Sequence, residues 1–260
     1  MSIKRKSIFI TGAASGIGRE TALLFAKKGW FTGLYDLNED GLRKLQQEIG
    51  EEQSCFGVLD VTDPQSFENA VVDFGKYTNG MMHALFNNAG IMFMGSLEDV
   101  DLSLQLKTMR VNVEGIIIGI YASLPLLKKT PGSVILSMSS ASAMYGVPDL
   151  AVYSASKFAV RGLTEALNIE LARSGIHVTD IMPLYVNTGM ISSQRNKAGT
   201  LEIFGAKLTP TQIAEYAWKA VHHKKLHWVP TLKLKTLKTL SRFFPFVEKP
   251  VMQFLSKKSS

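Results

Sequence analysis

Residues 7–18, S-I-F-I-T-G-A-A-S-G-I-G, decide the fold of this chain. An apolar run leads into glycines, and a helical pattern with apolar side chains at 3-to-4 spacing follows. Such a turn between a strand and a helix suits phosphate binding, because Gly12 permits a tight turn, Gly16 lets the backbone approach a pyrophosphate and Gly18 lets the helix pack closely. The spacing is G-x-x-x-G-x-G and not G-x-G-x-x-G, so a glycine turn without a ligand is the alternative.

Strand and helix patterns alternate from this turn onward. Asp63 and Pro64 predict a helix start, since aspartate caps a helix and proline suits its first position. A long helical pattern covers roughly residues 100–128, and a later helix extends to Arg173 with Gly175 as its stop. The alternation predicts an α/β fold, a doubly wound parallel sheet of about seven strands flanked by helices in a single domain.

An acidic residue ends the second predicted strand. A carboxylate at Asp36 can accept hydrogen bonds from the adenosine ribose hydroxyls, and it would repel the extra phosphate of NADP. Its alternative role is a helix cap, but Asn38 occupies the better capping position. No Lys or Arg follows Asp36 directly, and Arg19 is expected to point outward. The pattern therefore predicts NAD and disfavours NADP.

Residues 134–157, V-I-L-S-M-S-S-A-S-A-M-Y-G-V-P-D-L-A-V-Y-S-A-S-K, carry the candidate chemistry. Tyr153 and Lys157 are four residues apart, so they share one helix face. An ammonium beside a phenol lowers a pKa that starts near ~10, which makes tyrosine useful for proton transfer. Ser140 precedes Tyr153 by thirteen residues, where its hydroxyl could face the same point. Taken alone, the pair is equally well an ordinary helix pair with a solvated lysine.

These motifs together resemble the short-chain dehydrogenase/reductase family. T-G-A-A-S-G-I-G at 11–18, D-V at 60–61, N-N-A-G at 87–90, Asn112, Ser140 and Y-S-A-S-K at 153–157 occur in the order and spacing of that family. The resemblance covers residues 7–188 and continues less specifically to residue 230. It implies a Rossmann-type dinucleotide-binding and catalytic domain over residues 1–230, followed by an extension over residues 231–260.

The resemblance also implies a role for each matching residue. The catalytic set is Tyr153 as general acid/base, Lys157 lowering the pKa of that tyrosine, Ser140 polarising the substrate oxygen, and Asn112 holding a water that links Lys157 to solvent. The implied cofactor-binding residues are Gly12, Ser15, Gly16, Ile17, Gly18, Asp36, Asp60, Val61, Asn88, Ala89, Gly90, Tyr153, Lys157, Val186 and Thr188. Leu184 stands where the family usually has glycine, which puts the geometry of that loop in doubt.

Composition narrows the partners. All of the net charge of +7 comes from the last 39 residues, which carry nine Lys/Arg and one acid, so the pattern speaks against nucleic acid. The single cysteine, Cys55, suits a reducing compartment and a buried structural thiol, and no metal-ligand spacing appears. We expect a cytoplasmic protein without a signal peptide or spanning helix. The resemblance implies a homodimer or homotetramer built on the long helices.

Two segments bear on substrate and membrane. Residues 91–95, 143–149 and 184–204 are expected to face the substrate. Their large apolar side chains predict a small hydrophobic alcohol or carbonyl substrate, lipid-like, steroid-like or retinoid-like. Half of these side chains could equally be core. Residues 231–260 form a basic amphipathic pattern, which suits either peripheral membrane contact or coverage of the cleft or a sister subunit.

The sequence thus predicts an NAD-dependent oxidoreductase that transfers a hydride to or from a hydrophobic secondary alcohol or ketone. Two alternatives stay open. One is a catalytically silent dinucleotide-binding regulatory protein, although no predicted catalytic position is degraded. The other is an NADPH-dependent biosynthetic ketoreductase, which Asp36 disfavours.

Overall fold

A computed structural model gives the structure of residues 5–194 and 198–231. The predicted basic amphipathic extension therefore lies outside the described residues, apart from Thr231. The strands are β1 (Ser7–Thr11), β2 (Phe31–Asp36), β3 (Ser54–Val58), β4 (Ala84–Asn87), β5 (Val134–Met138), β6 (His177–Ile181) and β7 (His227–Trp228). The helices are α1 (Gly16–Lys27), α2 (Glu39–Ile49), α3 (Pro64–Tyr77), α4 (Leu102–Met109), α5 (Gly115–Lys128), α6 (Ala151–Glu170), α7 (Gly189–Ser192), α8 (Gly199–Phe204) and α9 (Pro210–His222).

The strands form one parallel sheet in the order β3-β2-β1-β4-β5-β6-β7. The predicted doubly wound parallel sheet with flanking helices in a single domain is confirmed. The chain runs outward from β1 to β3 and then returns to place β4 on the other side of β1. In such sheets ligands bind beyond the carboxyl ends of the strands where the order reverses, which is here between β1 and β4.

Alternating side chains of the sheet feed two separate cores. Ile8 and Ile10 pack on the face covered by α1, α2 and α9, whereas Phe9 points to the face covered by α3, α5 and α6. The Phe9 ring stacks on Tyr35 with centroids 4.0 Å apart. Cys55 is buried in β3, as predicted, and burial raises the pKa of its thiol to about 12. Both faces of the sheet are therefore closed, and the carboxyl edge of the strands is left for a site.

Local sequence signals located the start of α3 and, to within a turn, the end of α6. The Asp63 carboxylate accepts a hydrogen bond from the Gln65 amide at 2.9 Å, which confirms the predicted cap of α3. The predicted helix to Arg173 ends earlier, because α6 tightens into a 3-10 turn, Leu171–Ser174, before Gly175 reverses the chain at a φ of +70°. The helix-end signal was thus right to within a turn.

The long helix predicted over residues 100–128 is broken by a π-helical turn. α4 and α5 are joined by the turn Arg110–Glu114, which contains Asn112. By length and composition the stretch Leu102–Lys128 could cross a membrane, although no such span was expected. It packs against α3, β4 and α6 as a layer of the fold, so its apolar character is accounted for without a membrane.

Candidate active site

The glycine turn and the loop after β4 pack directly on each other. Gly12 has a φ of +67°, and a Cβ there would lie 2.9 Å from the Ala89 Cα. The Asn88 side-chain amide donates to the carbonyl oxygens of Thr11 at 3.0 Å and Gly12 at 3.1 Å. A Cβ at Gly18 would overlap the Gly12 carbonyl oxygen. Glycine is therefore required at both positions to keep α1 close to the sheet edge.

Thr11 is a residue that motif reading passed over. Its hydroxyl accepts hydrogen bonds from the backbone amides of Asn88 and Ala89, each at 3.0 Å. These bonds tie the carboxyl ends of β1 and β4 together at the point where the strand order reverses. A threonine directly before the first glycine is the signal that could have identified this contact.

Asp36 sits at the edge of the cleft with its carboxylate held by backbone. One oxygen accepts from the Ala14 amide at 3.1 Å and the other from the Asn38 amide at 3.0 Å. Asn38 itself caps α2, as expected. Arg19 turns away to Glu20 and Glu48, so no arginine in this region faces Asp36. The carboxylate therefore gives the cleft a fixed negative charge.

The remaining predicted cofactor-binding residues lie along the same cleft. It encloses about 580 Å³. Its lining includes Gly12, Ser15, Gly16, Ile17, Asp36, Asp60, Val61, Asn88, Ala89, Gly90, Ser140, Tyr153, Lys157, Val186 and Thr188. Gly18 and Asn112 do not line it. Gly18 acts from behind the turn, and Asn112 is fully buried in the π-helical turn.

Tyr153 and Lys157 face the cleft from one side of α6, as their spacing predicts. The Lys157 ammonium lies 5.5 Å from the centre of the Tyr153 ring and donates to the Met138 carbonyl oxygen at 2.8 Å. Lys157 is only 4% exposed. Burial lowers its pKa from 10.5 to about 8. The Lys157 ammonium is thus hydrogen-bonded to the last residue of β5.

The pKa of Tyr153 moves in the opposite direction to the one predicted. Loss of hydration raises it to about 12, and the neighbouring Ser140 hydroxyl offsets this only in part. The nearby Tyr185 raises it further. The predicted lowering of this pKa by Lys157 is not seen in the protein alone, because burial of the phenol dominates. Near neutral pH the phenol is therefore protonated.

Ser140 is distinguished from its serine neighbours by its position. It caps the 3-10 turn Ala141–Ala143, and its oxygen accepts from the Ser142 amide at 3.2 Å. Ser137 is buried within β5, and the Ser139 hydroxyl donates to the Lys157 carbonyl oxygen at 3.4 Å. Ser139, Ser140 and Ser142 line the cleft, and only Ser140 has the predicted spacing to Tyr153.

Asn112 contacts the loop after β4. Its side chain accepts from the Ile91 amide and donates to the Ile91 carbonyl oxygen, both at 2.9 Å. It also donates to the Ser156 hydroxyl at 3.1 Å on α6. Asn112 therefore joins α6 to this loop. The link to Lys157 through a water stays a prediction.

The loop after β6 completes the cleft. Leu184, where glycine was expected, packs with Met182 and Val229. Thr188 precedes α7, and its hydroxyl donates to the Val186 carbonyl oxygen at 3.4 Å. This end of the cleft is mainly apolar, with side chains from Ile91, Met92, Met144, Val147, Leu184, Met190, Ile191 and Phe204. Leu184 is thus accommodated by packing against residues that directly follow β6 and β7.

Comparisons with known proteins identify the family. The family model for short chain dehydrogenases matches residues 6–199. The chain belongs to the short-chain dehydrogenase/reductase family. It is 30% identical over 190 residues to cyclohexanol dehydrogenase from Acinetobacter sp. (strain SE19), covering 72% of this chain and 75% of that protein. The chain is accordingly an oxidoreductase of a family that includes alcohol dehydrogenases.

Solved structures agree on the fold and differ in cofactor. A short-chain dehydrogenase/reductase from Burkholderia phymatum in complex with NAD superimposes with a TM-score of 0.84 at 22% identity, over 95% of this chain and 96% of that one. An alcohol dehydrogenase from Thermococcus sibiricus complexed with 5-hydroxy-NADP gives 0.76 at 25% identity, over 86% and 95%. Since relatives bind either nucleotide, the choice must be argued from this chain's own residues.

Proposed function

We propose that this oxidoreductase uses NAD(H) to interconvert a hydrophobic secondary alcohol and its ketone, with Tyr153 as general acid/base. The observation that carries the proposal is that Ser140, Tyr153 and Lys157 line the same cleft as the glycine turn and Asp36. The turn fits a dinucleotide, because Gly12, Ser15 and Gly16 line the cleft where α1 begins. When bound, the nicotinamide dinucleotide supplies or accepts the hydride.

The residues of the chain handle the proton. In ketone reduction the Tyr153 hydroxyl donates a proton to the substrate oxygen as negative charge develops there, and Ser140 donates a hydrogen bond to the same oxygen. A pKa of about 12 keeps Tyr153 in the donating state near neutral pH. Alcohol oxidation needs the phenolate, so it is expected to gain more from alkaline pH than reduction does.

The apolar end of the cleft supports a hydrophobic substrate. The methionines there are deformable, and the lining offers few hydrogen-bond partners apart from Ser140, Ser142, Tyr153 and the Tyr185–Thr200 hydroxyl pair. A screen of cyclic and long-chain alcohols and ketones, followed by NADH fluorescence, tests the proposal. Tyr153→Phe should lose turnover and retain NADH binding. Activity that survives in this variant would contradict the mechanism, and tight NADH binding without any turnover by wild type would favour the silent binding protein.

The preference for NAD rests on Asp36. Its fixed carboxylate would meet the 2′-phosphate of NADP with like charge, and Arg19 is already paired elsewhere. We expect NADH to bind about tenfold or more tightly than NADPH, a difference of ~1.4 kcal/mol or more. Asp36→Asn removes the charge and should narrow that ratio. A wild-type preference for NADPH would instead support the biosynthetic ketoreductase.

We also propose a homodimer or homotetramer. Large apolar side chains are exposed on α4, α5 and α6, including Leu106, Tyr121 and Ile169. A second copy would cover these long helices. Light scattering with size-exclusion chromatography measures the assembly, and a monomer at micromolar concentration would contradict it.

We propose that residues 231–260 contact an anionic membrane surface and that the protein is otherwise cytoplasmic. The basic and apolar residues of this extension suit such contact. Flotation with anionic liposomes should separate the full chain from a chain that ends at Pro230. Equal flotation of both would oppose the proposal and favour coverage of the cleft or of a sister subunit.

A further inference from the structure

Two chain segments that are distant in sequence border the substrate end of the cleft. One is the loop of residues 91–94 after β4, and the other is the segment of residues 188–194, which contains α7. Ile91 and Met92 line the cleft from the first segment, and Thr188, Met190 and Ile191 line it from the second. Access to this end of the cleft therefore depends on how the two segments are held together.

The side chain of Gln194 forms hydrogen bonds to both segments, and Ile191 packs in the same apolar cluster as Met92 and Met94. Its carbonyl oxygen accepts from the Met94 amide at 3.0 Å, and its NH₂ group donates to the Met92 carbonyl oxygen at 2.9 Å. The same NH₂ group donates to the Met190 carbonyl oxygen at 2.8 Å, within its own segment. Both protons and the oxygen of the amide are thus in use, which fixes the orientation of the side chain.

The bonded loop is also held at its other end. Asn112 makes two hydrogen bonds to the backbone of Ile91, and Gln194 makes two to Met92 and Met94. Met92 and Met94 are each 4% exposed. Because Asn112 approaches from the π-helical turn and Gln194 from the opposite segment, two side-chain amides define the path of this loop over the cleft.

We propose that Gln194 is a positioning residue that keeps the substrate end of the cleft closed over the bound dinucleotide. This rests on the proposed function, since the cleft must hold a nicotinamide cofactor. An amide is needed at this position because the loop presents an N–H and a C=O together, and only a group with both an acceptor and a donor satisfies the two. Loss of Gln194 lets the segment with Thr188 separate from the loop, so the cofactor escapes faster.

The test compares Gln194→Ala and Gln194→Glu with Ser193→Ala. Ser193 is exposed on the same segment and its hydroxyl donates to the Met190 carbonyl oxygen within that segment, so it is the matched control. The measurement is the NADH dissociation rate by stopped-flow fluorescence, with urea unfolding of each cofactor-free protein beside it. Gln194→Ala should release NADH about thirtyfold faster, which corresponds to the loss of the two hydrogen bonds to the loop at about 1 kcal/mol each. Gln194→Glu should also release NADH faster than wild type, because a carboxylate cannot donate to the carbonyl oxygens of Met92 or Met190.

Three outcomes oppose the proposal, and they are distinguishable. If Gln194→Ala and Ser193→Ala release NADH at the wild-type rate, the positioning role is refuted while the proposed function stands. If Gln194→Ala lowers cofactor-free stability and leaves the NADH dissociation rate unchanged, the residue is structural only. If wild type does not bind NADH, the proposed function fails and the role of Gln194 fails with it.

Discussion

Replacing Lys157 by methionine is expected to stabilise the cofactor-free protein at neutral pH. The ammonium is 4% exposed, donates to the Met138 carbonyl oxygen, and has no ion pair among the described residues. Burial lowers its pKa from 10.5 to about 8. At about 1.4 kcal/mol per pKa unit this corresponds to about 3 kcal/mol of unfavourable burial. Loss of the hydrogen bond costs about 1 kcal/mol, so Lys157→Met should gain about 2 kcal/mol.

The gain should disappear at alkaline pH. Between about pH 8 and 10.5 the unfolded chain keeps the proton on Lys157 while the folded protein releases it. The unfolded state then binds more protons, so wild-type stability rises with pH in this window. At pH 9.5 the remaining penalty is about 1 kcal/mol, which is similar to the cost of the lost hydrogen bond. Lys157→Met and wild type should therefore have similar stability there.

Urea unfolding of the cofactor-free proteins at pH 7 and pH 9.5 measures this difference. Lys44→Met, on an exposed face of α2, is the control, and it should change stability by less than about 0.5 kcal/mol at either pH. Titration of other groups is common to variant and wild type and cancels in the comparison. A Lys157→Met protein that is less stable than wild type at pH 7, or a difference that does not shrink by pH 9.5, would refute the reasoning.

Two further substitutions test the turn and the last strand. Gly18→Ala should cost about 1–3 kcal/mol of folding free energy in urea unfolding and weaken NADH binding, because the new methyl group overlaps the Gly12 carbonyl oxygen. The control is Gly162→Ala, at a helical position with no atom within 4 Å of the added Cβ, and it should be neutral or slightly stabilising in urea unfolding. His227→Leu should destabilise the protein by about 3–5 kcal/mol, because it removes the side chain that lies 2.9 Å from the fully buried Asp180 carboxylate. Adding Asp180→Leu should recover much of that loss. A cost of His227→Leu below about 0.5 kcal/mol by chemical denaturation would argue against this account.

The sheet and its carboxyl edge were predictable because they depend on local patterns. Residues 7–18 combine an apolar strand, a turn that needs glycine, and an amphipathic helix, so neighbouring residues dictate the geometry. Asp36 and Asn88 come at strand ends, and parallel strands bring such ends to one edge. The helix of Tyr153 and Lys157 follows the same logic, since its 3.6-residue period alone places both side chains on one face.

The electrostatics of the site could not be predicted from spacing. The four-residue spacing from Tyr153 to Lys157 suggested that the ammonium lowers the pKa of the phenol. In the structure the Lys157 ammonium is hydrogen-bonded to the Met138 carbonyl oxygen, and the loss of hydration around Tyr153 raises the pKa of the phenol. The carbonyl that lies beside Lys157 is determined by the packing of β5 against α6. Such a tertiary contact is not evident from residue spacing.

The substrate end of the cleft was the least predictable part for the same reason. Its walls come from loops about a hundred residues apart, and the contact of Gln194 with Met92 and Met94 leaves no local sequence pattern. The glycine turn has one backbone conformation that suits its task, whereas residues 91–94 and 188–194 are shaped by each other. Variation at this end therefore leaves the turn, Asp36 and Tyr153 in place. A fold of this kind holds the cofactor at the sheet edge and the substrate between loops that support each other. Its substrate specificity can therefore change while its reaction type is kept.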